Sequence, residues 1–294
     1  VYGGGSPNHA PVDVLLGWES ALEFCQNPQH TFFGSTIGRV SNRIPKGRVQ
    51  IDNVTYELPT DGNGITCHGG TKGFDRYTFD VVRRTSSSVT FHYFSKSGEE
   101  GFPGNVNMQI EHTITPEDEW QINYTATTDS DTVLALTMHP YFNLNGNVNN
   151  TATVLEHYVT IPAGDQYVEV DDMLVPTGGL RPVRGEPAMD FTQPKRLGRD
   201  IDKAKASPRG GYDHAFVLSD WKPGRKLDEL PVAMTVHTPV TGIGMGIRTD
   251  QPSIQMYSGN FLNGTDPMTR IPRKKSQTFG DGPQFYHWRG ALAL

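Results

Sequence analysis

The chain has 294 residues, of which 35% are hydrophobic, and this is enough apolar material for a globular core. Its formal net charge is −6, from 26 Lys and Arg against 32 Asp and Glu. This balance argues against a nucleic-acid partner, which needs a basic face to neutralise phosphates, and against electrostatic docking on an anionic membrane. No apolar run reaches the roughly 20 residues that span a bilayer, so no membrane partner is expected.

Helix signals are few, and short strands follow one another from residue 48 onward. No long segment has apolar residues at helical spacing, and only 18–25 and 197–204 are typical of single helical turns. Residues 48–58 alternate around the turn pair Asp52 and Asn53, which is typical of a β-hairpin. Further strands are predicted at 77–84, 88–95, 105–115, 119–128, 132–138, 153–161, 215–218, 232–238, 244–249 and 253–257.

This pattern predicts an all-β protein, a large antiparallel β-sandwich with few short helical turns. The 32 glycines and 21 prolines agree with the many turns that such a fold requires. We expect a single domain over residues 1–294, with long loops at 178–207 and 263–284.

The two cysteines, Cys25 and Cys67, are too few for a disulfide framework and form no CxxC pair. We therefore expect reduced thiols that pack or line a pocket, and no metal site. No secretory signal pattern follows Val1, and the expected location is the cytoplasm.

Polar side chains that suit a small hydroxylated ligand recur beside glycines and strand ends. These positions supply two imidazoles (His68 and His139), a guanidinium (Arg43), a carboxylate (Asp213) and a carboxamide (Gln255). Sugars need this mixture, because polar side chains read their hydroxyls and aromatic rings stack on their C–H faces. The sequence contains no G-x-S-x-G nucleophile elbow, no phosphate-binding P-loop and no H-E-x-x-H zinc motif. It therefore predicts proton transfer on a small polar ligand. The candidate aromatic residues are Phe74, Phe102, Tyr141, Phe142, Tyr257 and Phe261.

The order of these segments resembles the galactose mutarotase family, whose members are aldose 1-epimerases. The resemblance implies the family's large antiparallel β-sandwich with an open sugar-binding cleft and no cofactor. It also implies interconversion of the α and β anomers of free hexoses, galactose or glucose, by acid–base catalysed opening and closure of the ring. The matching segments are 34–44 (GSTIGRVSNRI), 67–75 (CHGGTKGFD), 98–104 (GEEGFPG), 139–144 (HPYFNL), 172–178 (DMLVPTG) with Pro182 and Val183, 212–214 (YDH) and 255–262 (QMYSGNFL).

The resemblance also assigns roles to the candidates in the first half of the chain. His139 is the general acid at the ring oxygen, and an imidazole with the ordinary pKa of about 6.5 suits that role. His68 is the second catalytic imidazole and holds an oxygen at the reacting end of the sugar. Arg43 binds a hydroxyl or the ring oxygen as a permanently charged donor, with Asn42 beside it as a further substrate contact.

The remaining roles involve carboxylates and one carboxamide. The resemblance makes Asp213 an acceptor for ring hydroxyls and Gln255 a further hydroxyl contact. It puts the family's general base, a glutamate, directly after Leu294, so this residue is absent from the chain. Three explanations stay open: the chain lacks the family's first strands and C-terminal tail, it is a weak sugar binder, or another carboxylate substitutes. Glu99 and Glu100 are interpreted as structural residues of a turn.

Other functions are compatible with the same residues. A loop with Arg270, Arg273, Lys274 and Lys275 would suit a hexose 6-phosphate 1-epimerase, in which cations hold the phosphate. A non-catalytic sugar-binding protein would bind galactose without accelerating its mutarotation. A glycoside hydrolase or polysaccharide lyase would require a carboxylate pair that the sequence does not reveal.

Overall fold

The computed structural model describes residues 11–26, 31–146, 153–204, 210–266, 270–278 and 284–294. These residues fall into two compact units. The first unit is Ser35–His139; the second consists of the described residues before Ser35 together with those of Pro140–Leu294. The single domain over 1–294 stays a prediction. Within the described ranges, no helix is long and apolar enough to cross a membrane.

The first unit is built from ten strands and two short 3₁₀ turns, Phe74–Arg76 and Glu99–Gly101. Its largest sheet has four antiparallel strands in the order β6-β7-β8-β9, and the other strands pair as β1 with β10, β2 with β5 and β3 with β4. The ten strands are β1 (Ser35–Ile37), β2 (Arg43–Pro45), β3 (Arg48–Ile51), β4 (Val54–Glu57), β5 (Ile65–Cys67), β6 (Asp80–Arg84), β7 (Ser88–Ser95), β8 (Val106–Ile114), β9 (Trp120–Thr128) and β10 (Thr137–His139).

Strand β8 shows why this sheet forms. Val106, Met108 and Ile110 occur at every second position, so all three point to one face, where each is at most 1% exposed. They pack against Phe74 of the first 3₁₀ turn and form the core of the unit. Burial of this apolar row fixes the register, because a slip of one residue would expose it.

The second unit contains ten more strands, one helix α1 (Ala21–Gln26), and four 3₁₀ turns at Leu197–Arg199, Ile201–Lys203, Leu227–Glu229 and Lys275–Gln277. A six-stranded antiparallel sheet has the order β11-β20-β19-β16-β13-β14, and a four-stranded sheet has the order β15-β12-β17-β18. The strands are β11 (Tyr141–Phe142), β12 (Tyr158–Thr160), β13 (Gln166–Val170), β14 (Pro176–Pro182), β15 (Lys195–Arg196), β16 (Asp213–Val217), β17 (Val232–His237), β18 (Gly244–Arg248), β19 (Ser253–Tyr257) and β20 (Leu292–Ala293).

The predicted hairpin at 48–58 is confirmed, with Asp52 and Asn53 both at positive φ in its turn. The two longer hairpins are also confirmed, but the predicted strand 77–84 begins only at Asp80. The expected strands 132–138 and 153–161 were too long, since pairing is limited to three residues in β10 and three in β12. Helical turns occur at both predicted places, as α1 and as the pair of 3₁₀ turns after Arg196.

The expected loop at 178–207 is wrong in part. Strand β14 occupies its beginning, at the edge of the six-stranded sheet. An edge strand tolerates the prolines and glycines that suggested a loop, because half of its backbone groups need no partner strand. Parts of both predicted loops, 205–207, 267–269 and 279–283, lie outside the described residues. Both cysteines are free thiols, but Cys25 is exposed and not packed as expected.

Candidate active site

The first unit brings His68 and Asn42 together at the end of a short strand pair. Strands β2 and β5 pair Arg43 with Cys67, so Asn42 and His68 are the next residues on either side. The backbone N–H of His68 donates to the Asn42 carbonyl at 3.0 Å, and the Asn42 backbone N–H donates to His68 Nδ1 at 3.2 Å. Because Nδ1 accepts this bond, the neutral imidazole carries its hydrogen on Nε2. His68 is therefore prepared to donate through Nε2.

Unusual backbone conformations give His68 its orientation. His68, Gly69 and Gly70 have φ values of 50°, 96° and 119°, three left-handed residues in succession. A Cβ at Gly69 would overlap the carbonyl oxygen of Gly38, so only glycine fits there. A Cβ at Gly70 would instead overlap the side-chain carboxylate of Glu100.

His139 is the second imidazole of this cluster. It is the last residue of β10, where it pairs with Ser35 of β1, and its ring centroid lies 5.5 Å from that of His68. The two rings meet nearly edge to face, at 79°. Both residues retain part of their surface exposed, so a small ligand can reach them.

Burial controls the protonation of both imidazoles. It lowers the pKa of His68 to about 3, with smaller contributions from His139 and from the charge of Arg43. Burial also lowers the pKa of His139 to about 4, and Arg43 adds to this effect. The expectation of an ordinary pKa for His139 was therefore wrong, and both rings are neutral at pH 7. The charge of Arg43 contributes to the lowered pKa of both rings, so Arg43 lies close to both.

The two glutamates of the 98–104 motif are structural, as expected. Glu100, at φ 47°, accepts a hydrogen bond from the backbone N–H of Thr71 at 2.7 Å, just after the glycine pair. Glu99 accepts from the hydroxyls of Tyr93 at 2.7 Å and Ser95 at 2.6 Å. Glu100 thus supports the turn that carries His68.

The second unit brings Asp213 and Gln255 together on neighbouring strands. Strands β16 and β19 pair Asp213 with Tyr257 and Ala215 with Gln255, so all four side chains share one face of the sheet. Gln255 Nε2 donates to Asp213 Oδ1 at 2.7 Å. Asp213 is buried at 7% exposure, whereas Gln255 is partly exposed.

Tyr141 also belongs to this cluster, and spacing in the sequence gave no sign of its polar environment. Strand β20 lies between β11 and β19, where Ala293 pairs with both Tyr141 and Tyr257. Burial raises the pKa of Tyr141 well above its ordinary value, and Tyr257 and Asp213 raise it further. The phenol is consequently protonated at any working pH.

Three of the candidate aromatic residues have clear positions. Phe74 and Phe102 are 3% and 0% exposed in the first unit, so the expectation that they stack on a ligand was wrong. Both are core residues, because the sequence cannot show which apolar side chains the fold buries. Phe261 is 51% exposed and stacks on Tyr257 with centroids 6.3 Å apart.

The basic residues at 270–275 are engaged within the second unit. Lys274 Nζ lies 2.7 Å from Asp13 Oδ2, and Lys275 Nζ lies 3.8 Å from Glu19 Oε1. Arg273 donates to backbone carbonyls, and Arg270 stacks on the ring of Phe285 at 4.2 Å.

A metal site would require several His, Cys, Asp or Glu side chains close together. The described part of the chain contains no group of three or more of these side chains that could hold an ion.

Comparisons with known proteins agree with the fold and with these motifs. The family model for aldose 1-epimerase matches residues 6–288. Galactose mutarotase of Sus scrofa is 36% identical over 253 residues, which cover 86% of this chain and 69% of the pig protein. Aldose 1-epimerase of Escherichia coli is 34% identical over 286 residues, covering 96% and 75%. The crystal structure of an aldose epimerase homologue from C. elegans has a TM-score of 0.78 at 29% identity, covering 96% and 77%.

The fold is therefore the all-β galactose mutarotase fold that the sequence predicted. Within that fold class, the sequence match extends over nearly the whole chain. The chain belongs to the aldose 1-epimerase family.

Proposed function

We propose that this protein is an aldose 1-epimerase that interconverts the α and β anomers of a free hexose, galactose or glucose. The observation that carries the proposal is the pair of partly exposed, neutral imidazoles of His68 and His139 beside the cation of Arg43. Family membership supports the same reaction. One group removes the hydrogen of the C1 hydroxyl and another protonates the ring oxygen, so that a C1 carbonyl forms as the bond between C1 and the ring oxygen breaks. Rotation about the C1–C2 bond and reversal of these steps close the ring as the other anomer.

His68 has the role of an oriented hydrogen-bond donor. The Asn42 backbone N–H occupies Nδ1, so the ring carries its hydrogen on Nε2, the atom that donates to an oxygen of the sugar. The low pKa keeps His68 neutral, and its tautomer does not change over the working pH range. Arg43 supplies a permanent charge that stabilises negative charge on a sugar oxygen.

His139 has the role of general acid. With a pKa of about 4, the imidazolium is a minor form of the free protein at pH 7, about one molecule in a thousand. Its greater strength as an acid offsets only part of this scarcity, because the best pKa for a catalytic acid lies near the working pH. Binding of a sugar that accepts a hydrogen bond from the ring favours the protonated form.

Asp213 and Gln255 have the role of sugar anchors. A carboxylate accepts hydrogen bonds from two adjacent hydroxyls, and the 2.7 Å bond from Gln255 holds it in one orientation. We assign the general base to a glutamate in the position that follows Leu294. The pairing of Ala293 with Tyr257 supports this assignment, because the same register, continued beyond Leu294, would bring that position opposite Gln255.

The proposal is tested by polarimetry of freshly dissolved α-D-galactose. Two chains are compared, in which the position after Leu294 is Glu in one and Gln in the other. We expect the Glu form to accelerate mutarotation about a hundredfold more than the Gln form, because only a carboxylate serves as the base. His139→Ala in the Glu form should remove about the same factor or more. Equal rates for the Glu and Gln forms, or full activity of His139→Ala, would contradict the proposal.

A phosphorylated hexose is a poorer candidate substrate. The cations at 270–275 that would bind its phosphate already contact Asp13, Glu19, backbone carbonyls and an aromatic ring.

We also propose a cytoplasmic location. The two free cysteines support it, since a reducing compartment keeps thiols unpaired. Fluorescence microscopy of the tagged protein tests this location.

A further inference from the structure

Two buried polar residues of the second unit, Ser258 and Asn260, form hydrogen bonds with the residue that precedes Asp213. Both are 0% exposed. The backbone N–H of Tyr212 donates to Ser258 Oγ at 2.9 Å, and Asn260 Nδ2 donates to the Tyr212 carbonyl at 2.9 Å. The Ser258 hydroxyl lies 2.6 Å from Asn260 Oδ1 and 3.2 Å from the Tyr212 carbonyl oxygen, and it donates to the nearer of the two, Asn260 Oδ1. The backbone N–H of Ser258 also donates to the Tyr212 carbonyl, at 3.0 Å.

These bonds close into a ring that has a single direction. Tyr212 N–H donates to Ser258, Ser258 donates to Asn260, and Asn260 donates back to the Tyr212 carbonyl. Reversing the Asn260 amide would place its oxygen against the Tyr212 carbonyl oxygen, acceptor against acceptor, so the side chain has one stable orientation. Rings of this kind strengthen their members and are costly to leave incomplete when buried.

The neighbouring residues leave no room for another arrangement. Gly211 has φ 92°, and a Cβ there would overlap Asn260 Oδ1. The Tyr212 hydroxyl donates to the Ala188 carbonyl at 3.1 Å, and its ring meets Phe191 edge to face. The peptide groups on both sides of Tyr212 and its side chain are therefore fixed.

Asp213 follows directly and begins β16. We propose that Ser258 and Asn260 are positioning residues that fix the backbone at Tyr212 and thereby the direction in which Asp213 presents its carboxylate to a sugar. The inference rests on the proposed function for the role of Asp213. It also explains why the segments 212–214 and 255–262 occur together, since they form one hydrogen-bonded unit around a single carboxylate.

A double-mutant cycle on sugar affinity tests the proposal. Galactose binding to the full chain is measured by isothermal titration calorimetry for Asn260→Ala, Asp213→Asn and the double variant. We expect Asn260→Ala to weaken binding about tenfold, because a displaced Asp213 carboxylate loses about one hydrogen bond to the sugar. In the Asp213→Asn background the same change should weaken binding less than about twofold, because Asn260 acts through Asp213. Ser258→Ala removes a smaller side chain and provides a second variant if Asn260→Ala fails to fold.

Asn145→Ala is the matched control. Asn145 is also a buried amide of the second unit, 1% exposed, and it accepts from Thr238 Oγ1 at 2.7 Å. We expect a similar loss in Tm but less than about a twofold change in galactose affinity in either background. Unchanged affinity in both Asn260→Ala and Ser258→Ala would overturn the proposal. So would a loss from Asn260→Ala that is equal in the parent chain and in the Asp213→Asn background.

A second measurement separates this inference from the proposed function. The side-chain NH₂ of Gln255 donates to Asp213, so its NMR resonance reports on the carboxylate without any sugar. We expect Asn260→Ala to shift this resonance and Asn145→Ala to leave it unchanged. A shift in a protein that binds no galactose would contradict the function and support the positioning. An unchanged resonance in Asn260→Ala would overturn the positioning.

Discussion

The first unit presents the candidate residue His68 from a turn, whereas the second presents the candidates Asp213 and Gln255 from paired strands. His68 stands among three left-handed residues and is held by the backbone of Asn42. Asp213 and Gln255 lie on one face of two regularly paired strands. A turn of this kind depends on which residues tolerate positive φ, while a strand site depends on the side chains around it. The two regions should therefore differ in the substitutions that damage them.

Glycine substitutions should have the largest effect on stability and should separate the two units. In Gly69→Ala, the new Cβ overlaps the Gly38 carbonyl at φ 96°, so we expect a loss of about 4 kcal/mol in the free energy of unfolding. Gly178→Ala, at φ 91° in β14, meets open space and should cost only about 1–2 kcal/mol of backbone strain. Chemical denaturation of both variants measures the difference. Equal losses would show that positive φ alone, and not the close approach in the first unit, makes Gly69 necessary.

The sequence was informative where a pattern extends over several residues. Long alternating segments predicted β7, β8 and β9 within a residue or two at their ends, and family motifs indicated the candidate site. Strands of two or three residues, such as β1, β5 and β20, are too short for a periodic signal. The sequence also did not show which side chains are buried. Examples are Phe102, which is a core residue, and His139, whose pKa is lowered by burial.

Acid should weaken the protein through the imidazoles of both units. Burial lowers the pKa of His68 and His139 in the first unit, and lowers that of His157 and His214 in the second to about 4. The unfolded chain, with pKa values near 6.5, binds protons that the folded chain does not. Stability is therefore complete above pH 6.5 and falls as the pH drops toward 4, by about 1.4 kcal/mol per pH unit for each such imidazole.

Denaturation curves between pH 7.5 and pH 5, in steps of roughly half a pH unit, measure this slope. His157→Gln provides the control, since His157 is 0% exposed and accepts from the Leu144 backbone N–H through Nε2, a bond that a Gln oxygen can also accept. In this variant the free energy of unfolding should fall less steeply with decreasing pH, by the contribution of one imidazole, whatever its value at pH 7.5. A slope unchanged by this substitution would contradict the buried, neutral state of the ring.

The central claim is that His139 serves the chemical step and Asp213 serves sugar binding, and a parallel measurement of rate and affinity tests it most directly. Mutarotation of α-D-galactose and galactose binding are followed for His139→Ala and Asp213→Asn, both in the chain that carries Glu after Leu294. We predict that His139→Ala lowers kcat about a hundredfold or more, with affinity within about threefold of the parent. Asp213→Asn should weaken binding about tenfold or more through the loss of charged hydrogen bonds. The opposite assignment, with affinity lost in His139→Ala and retained in Asp213→Asn, would contradict the account.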